Sequence, residues 1–178
     1  MRIIIETQRL ILREIEYADA EGMYELDSDP EVHKYLGNKP VTCMQESLDA
    51  IDTIRKQYNE NGTGRWAVIE KQENKFIGWA GIKLYRHEVN GHINFLEVGY
   101  RLIRKYWGKG YATEAAQAAV VFGFKGLNAP EIFGMADAKN TASKKVMEKC
   151  GMTHTGNFVL DGIDHVWYVI KDPRRITF

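Results

Sequence analysis

Cysteine is scarce: the 178 residues hold only Cys43 and Cys150, far apart in the chain. Such a pair offers neither a disulfide framework nor a close metal-ligand spacing. Charge imbalance is missing too, because 24 Lys and Arg face 24 Asp and Glu, for a formal net charge of zero. That argues against a nucleic-acid binder working through a basic surface. The five histidines are scattered with no i,i+4 pair, so no metal site is expected. No apolar run is long enough to span a bilayer, and no repeat, linker or low-complexity tract breaks the chain. The opening "MRIIIETQRLIL" carries charge inside its apolar run and lacks a small-residue cleavage site, so it does not read as a signal peptide. The expectation is a soluble cytoplasmic protein without nucleic-acid or membrane partners. What the chain does have is apolar material, 44% of residues with 11% aromatic, enough to build a core. Its length suggests a single domain over residues 1–178.

The pattern of elements is mixed. "RLILREI" reads as a first strand, and "DAEGMYELDSDPEVHKYLG" as short helices broken near Pro30 and ending at Gly37. "VTCMQESLDAIDTIRKQYNENG" is a longer helix, with Thr42 and Gln45 as a capping box and an apolar stripe of Met44, Leu48, Ile51, Ile54 and Tyr58. "RWAVIE" and "KFIGWAGIKL" form a hairpin across "KQEN", and "INFLEVGYRLI" is a third strand in that group. The helix "ATEAAQAAVVFGFKGL", the strand "EIFGMAD" and the helix "NTASKKVMEKCGM" follow, with Asn140 a cap and Gly151 past the end. "THTGNFVLDGIDHVWYVI" closes as a hairpin with "DG" at the turn. This order predicts an α/β fold of the mixed α+β kind, since a doubly wound fold would alternate throughout.

The chemistry gathers around "KYWGKGYATEA". A strand, a glycine pair and a helix start come together here, and a helix N-terminus presents unpaired N–H groups and a positive dipole end. Glycine admits close approach and φ > 0, so the stretch suits a phosphate or pyrophosphate, with Lys105 and Lys109 adding positive charge. Glu114 favours the dipole, yet would repel a phosphate if it pointed inward. A P-loop is excluded because Gly-Lys is followed by Gly, and "GKGYAT" places Thr113 where the dinucleotide fingerprint needs Gly or Ala. A nucleotide held by pyrophosphate alone, such as coenzyme A, remains. On the glycines alone, a phosphate site and a plain turn are equally good readings.

The longer segment "EVGYRLIRKYWGKGYATEAAQAAVVFGF" resembles the central motif of the GNAT acetyltransferase superfamily, and most of all its RimJ/RimL branch of ribosomal-protein N-terminal acetyltransferases. The family loop Q/R-x-x-G-x-G/A falls here on Trp107, Gly108, Lys109, Gly110, Tyr111 and Ala112, with Trp107 where Gln or Arg is usual. "ETQRLILREIEYADAEGMYELDSDPEVHKYLG" resembles the opening of that branch, and "NTASKKVMEKCGM" its segment after the next strand. The resemblance covers nearly the whole chain in order. It implies a mostly antiparallel sheet of about seven strands, flanked by helices, with its central strands splayed.

The resemblance further implies acetyl-CoA as acetyl donor, no metal, and a primary amine as acceptor. Backbone groups of Tyr100 and Leu102 would bond the pantetheine arm, with Val98 and Gly99 nearer the reacting end and N–H groups from Trp107 to Ala112 on the pyrophosphate. Glu97 is the candidate general base; it lies in an apolar strand, and alternation puts Phe95, Glu97 and Gly99 on one face. The other readings of Glu97 are a solvent-facing residue or a partner for a basic side chain. Ser143 is the candidate acid for the leaving thiolate and Asn140 a ligand of the pantetheine arm, although both also suit plain helix-start chemistry. Tyr35 and His165 are candidates to border the acceptor, while Cys150 reads as a small core residue. The acceptor expected from the branch is a protein or peptide N-terminus. The alternative is a small-molecule amine such as a polyamine, amino sugar or antibiotic, and a rival of another class is a non-catalytic acyl-CoA-binding sensor. Dimers are frequent in the family, which makes a homodimer an expectation of the resemblance alone.

Overall fold

The computed structural model describes residues 2–175. Strands β1 (Ile3–Glu6) and β2 (Leu10–Arg13) are followed by helices α1 (Ala20–Asp27), α2 (Pro30–His33) and α3 (Met44–Asn61). Strands β3 (Arg65–Glu70), β4 (Lys75–Tyr85) and β5 (Phe95–Leu102) come next, then α4 (Tyr111–Lys125), β6 (Glu131–Asp137) and α5 (Thr141–Lys149). The hairpin of β7 (Thr153–Leu160) and β8 (Ile163–Lys171) ends the series. These strands form one eight-stranded sheet in the order β1-β2-β3-β4-β5-β6-β8-β7. The expected count was about seven. The additional strand is β1, a four-residue edge strand with no polar alternation to mark it. Its pairing to β2 is organised by the turn at Thr7, whose hydroxyl accepts the Leu10 N–H at 3.0 Å.

Two local readings shift by small amounts. The capping box of α3 sits one residue later than expected, on Cys43 and Glu46. The Glu46 carboxylate reaches back to the N–H groups of Thr42 at 2.6 Å and Cys43 at 3.2 Å, which the Gln45 side chain does not do. Met44, at the head of the apolar stripe, is 37% exposed, whereas Ile51 within it is fully buried. The "DG" turn forms as read: Asp161 at φ 51° and Gly162 at φ 78° join β7 to β8. Two positive φ values in a two-residue loop match the right-handed twist of the strands on either side.

The centre of the sheet positions the site. β5 pairs with β4 along its whole length, from Phe95 opposite Tyr85 to Leu102 opposite Gly78. With β6 it is parallel and pairs only at Glu97 and Phe133. Beyond that pair the two strands part, and the β6-facing edge of β5 opens into the gap. One face of β5 carries Val98 and Leu102 into the main core with Ala115 and Ala119 of α4 and Ile132 of β6. The opposite face carries Phe95 into a separate cluster with Phe133, Trp167 and Val89.

Candidate active site

The loop from β5 to α4 begins with a helical turn at Arg104–Tyr106. Gly108 then takes φ 75° and Gly110 takes φ 81°, a left-handed conformation that strains residues with a side chain. Nothing lies within 4 Å of where a Gly108 Cβ would sit, so the loop faces open space there. Gly110 is the N-cap of α4, and the first bond of the helix runs from the Glu114 N–H to its carbonyl at 3.0 Å. The N–H groups of Tyr111, Ala112 and Thr113 are those a helix leaves without internal partners. The Trp107 N–H, by contrast, closes the turn on the Arg104 carbonyl at 3.0 Å, so the run of donors open to an anion starts after it. This geometry fits a pyrophosphate: two left-handed glycines, a helix N-terminus and the exposed Lys109.

Glu114 points away from that space. Its carboxylate accepts from the Thr7 hydroxyl at 2.7 Å, the Arg9 N–H at 2.9 Å and the Arg9 Nε at 2.6 Å. Arg9 also donates to the Lys109 carbonyl at 2.9 Å and lies 4.5 Å from the centre of the Tyr111 ring. The β1–β2 turn therefore ties down the first turn of α4, and the repulsion Glu114 would exert on a phosphate is offset by its ion pair with Arg9. Lys105 is tied as well, to Glu25 at 2.7 Å.

Trp107 is 46% exposed, and its indole Nε1–H donates to the Leu102 carbonyl at 2.6 Å. The side chain that replaces the usual Gln or Arg thus braces the loop against the end of β5, on a carbonyl expected to face the pantetheine arm. Trp107→Phe keeps an aromatic ring and removes that donor. The expected result is a loss of about 1 kcal/mol in unfolding free energy by chemical denaturation, with acetyl-CoA affinity unchanged by calorimetry. A large affinity loss at unchanged stability would instead place the indole on the donor.

Glu97 lies where β5 and β6 part, and it is 4% exposed. Its carboxylate is ion-paired with Arg65 of β3, itself 8% exposed. Sequence reading left Arg65 out. The available signal was a charged residue in a strand whose residues are otherwise largely apolar, the same signal that singled out Glu97.

Across the gap, Asn140 caps α5 by accepting the Ser143 N–H on Oδ1 at 3.0 Å, which leaves its Nδ2 to donate. The Tyr100 hydroxyl donates to the Ser143 carbonyl at 2.9 Å and lies 3.0 Å from Ser143 Oγ. Burial holds the Tyr100 hydroxyl well above the usual phenol range, against the opposing pull of the Ser143 contact, so the neutral O–H is the species present. With that proton on the carbonyl, Ser143 Oγ–H is the donor to Tyr100. The sequence pointed to the Tyr100 backbone and missed this hydroxyl, because side-chain reach from strand to helix is a tertiary fact.

The Lys34 ammonium lies 5.7 Å from the Tyr35 ring centre, and His165 Nδ1 is 2.9 Å from the Ile163 carbonyl within its own hairpin. Burial pushes the Cys150 thiol up to about 11, leaving little thiolate for nucleophilic work. Among the described residues no group of three His, Cys, Asp or Glu side chains is placed to hold a metal, and no helix is long and apolar enough to cross a membrane.

Comparison with known proteins agrees with this geometry. The acetyltransferase (GNAT) domain family matches residues 9–153. The uncharacterized N-acetyltransferase p20 of Bacillus licheniformis is 35% identical over 150 residues, 84% of this chain and 82% of that protein. The spermidine N(1)-acetyltransferase of Escherichia coli K12 is 27% identical over 148 residues, 83% of this chain and 75% of that protein. The crystal structure of a GNAT-family acetyltransferase from Bacillus anthracis superposes with a TM-score of 0.76 at 32% identity, covering 96% of this chain and 98% of that one. A splayed β5–β6 gap, a glycine loop at a helix N-terminus and a family match across most of the chain lead to one conclusion: the chain belongs to the GNAT family and is an acetyl-CoA-dependent acyltransferase.

Proposed function

We propose that this enzyme, as a single acetyltransferase domain of the RimJ/RimL kind, acetylates the free amine of a protein or peptide N-terminus by direct attack in a ternary complex. The observation that carries the choice of acceptor is a belt of ion pairs beside the β5–α4 loop. Glu25, Asp27 and Asp29, at the end of α1 and the start of α2, are neutralised by Lys105, Arg101 and Arg104 respectively. A polyamine needs bare carboxylates to hold its several ammonium groups, and this segment offers none of these three. The spermidine-named relative from Escherichia coli favours the second reading, a small-molecule amine.

In the proposed reaction the amine nitrogen bonds to the acetyl carbonyl carbon and the carbon–sulfur bond breaks. Glu97 takes the proton released by the amine, directly or through water. The thiolate takes a proton from Ser143 Oγ–H, which turns from the Tyr100 hydroxyl to deliver it, and the serine is reprotonated from water. Backbone N–H groups at Val98 or Gly99 polarise the thioester carbonyl. Tyr100, Leu102 and Asn140 Nδ2 hold the pantetheine arm, and Gly108 to Ala112 hold the pyrophosphate, with Trp107 bracing the loop. Acetyl-CoA is an intracellular metabolite, which supports a cytoplasmic setting. A homodimer remains a proposal of the family resemblance.

The test is a thiol-release assay with an acceptor panel: free-N-terminus peptides, spermidine and an aminoglycoside. The expected result is turnover with peptides, blocked by prior N-terminal acetylation. Preferred turnover of spermidine or the aminoglycoside overturns the acceptor assignment. Tight acetyl-CoA binding with no thiol release from any amine would mark a sensor.

A further inference from the structure

The buried Arg65–Glu97 pair is built across three strands. Arg65 opens β3, and in the sheet register it stands opposite Gly81 of β4, which stands opposite Gly99 of β5. The three positions form one row. The arginine side chain runs along it past Gly81, and its guanidinium meets the carboxylate of Glu97. On the way its Nη1 donates to the Gly81 carbonyl at 2.7 Å and the Glu97 carbonyl at 3.1 Å, while Nη2 takes the Glu97 carboxylate. Its guanidinium carbon sits 5.3 Å from the Trp79 ring centre. The Tyr58 hydroxyl donates to the Arg65 carbonyl, which fixes the start of the row.

Gly99 makes room for this path. A Cβ there would lie 2.5 Å from Arg65 Nη2 and 2.6 Å from its Cζ, so the guanidinium occupies the space of the missing side chain. A second cation stands beside Glu97 in the register but makes no ion pair with its carboxylate. Lys83 is the register partner of Glu97 on β4, yet its ammonium lies over the Tyr85 ring at 4.2 Å. A buried ion pair adds little net stability, because desolvation offsets the attraction. What a planar guanidinium with fixed donors supplies is geometry.

We propose that Arg65 is the positioning residue for Glu97, holding its carboxylate in one place and orientation at the parting of β5 and β6, and that position 99 is glycine to admit the guanidinium. This rests on the reading of Glu97 as the general base. An ill-placed base keeps its chemistry but loses alignment, and misplacement of about 1 Å is enough for a hundredfold loss of rate.

The experiment measures kcat, KM for both substrates and acetyl-CoA affinity for R65M, R65K, G99A, E97Q and the double variant R65M/E97Q, each normalised to folded protein by circular dichroism. R65M is expected to lower kcat about tenfold to a hundredfold with acetyl-CoA affinity unchanged, and R65K to restore part of it. G99A keeps Arg65 but displaces it, and should lower kcat in the same sense; it carries the test if R65M does not fold. In the E97Q background R65M should have no further effect on kcat. If E97Q collapses while R65M and G99A retain wild-type kcat, or if the effects of R65M and E97Q multiply, Glu97 stays the base and the positioning role is overturned. If E97Q retains wild-type kcat, the base reading itself fails.

Discussion

Glu97→Gln is expected to lower kcat by about 10²- to 10⁴-fold, the usual contribution of a positioned general base, with acetyl-CoA affinity unchanged. The substitution is nearly isosteric, and the glutamine oxygen can still accept from Arg65 Nη2 where the carboxylate does now. The loop that would hold the pyrophosphate lies beyond the far end of β5 and shares no hydrogen bond with Glu97. Loss is therefore confined to proton removal from the acceptor. Stability falls as well, by about 3 kcal/mol, since Arg65 stays buried beside a neutral group. Rates must accordingly be referred to folded enzyme. The decisive readout is the pH–rate profile. A glutamine variant whose profile matches that of the wild type removes Glu97 from the chemistry, whatever its rate.

The second large effect concerns Glu114→Ala. Three donors from Thr7 and Arg9 lose their acceptor at once. With the Arg9 side chain 41% exposed, water takes over part of the loss, which leaves about 2 kcal/mol. For a chain of this size that is a fall in Tm of roughly 4 to 8 °C. Acetyl-CoA affinity should drop about tenfold, as the first turn of α4 is no longer pinned to the β1–β2 turn. The pH dependence identifies the cause. Burial pushes the Glu114 carboxyl up, but the hydrogen bonds from Thr7 and Arg9 outweigh it, and the net shift is downward from 4.5. A carboxyl held low in the folded state contributes its stability above the unfolded value and loses it as pH falls through the folded one. The gap in Tm between wild type and variant should therefore be full above pH 4.5 and shrink on acidification below it. A gap that stays constant at lower pH would show that the contribution is packing and not the ionised carboxylate.

The parts of this molecule that were readable in sequence are those where local geometry dictates a residue type. Gly108, Gly110, Gly151 and Gly162 all sit at positive φ, and the neighbours of each mark it as part of a loop, helix end or turn. The alternation in "INFLEVGY" put Phe95, Glu97 and Gly99 on one face; Phe95 and Glu97 are buried there and Gly99 lies under Arg65. β1 escaped because a short edge strand declares itself through its partner and not through its own pattern. The cap of α3 slipped by one residue because Thr42, Cys43, Gln45 and Glu46 offer two overlapping boxes, and a carboxylate is the stronger acceptor. At the site, the loop and the cap Asn140 were legible. The pairing of residues 65 and 97, 32 apart in sequence, and of Tyr100 with Ser143, 43 apart, depends on which strands become neighbours. No window of sequence carries that information.

The row of Arg65, Gly81 and Gly99 also bears on how such a sequence can drift. With a long side chain at 65, every residue larger than glycine at 99 meets the guanidinium head-on. With a short side chain at 65, that obstacle is gone. The two positions thus form an ordered pair, in which 65 must shorten before 99 can grow. A lineage that reaches alanine at 99 by the other order passes through a form whose buried arginine has been pushed off its carboxylate.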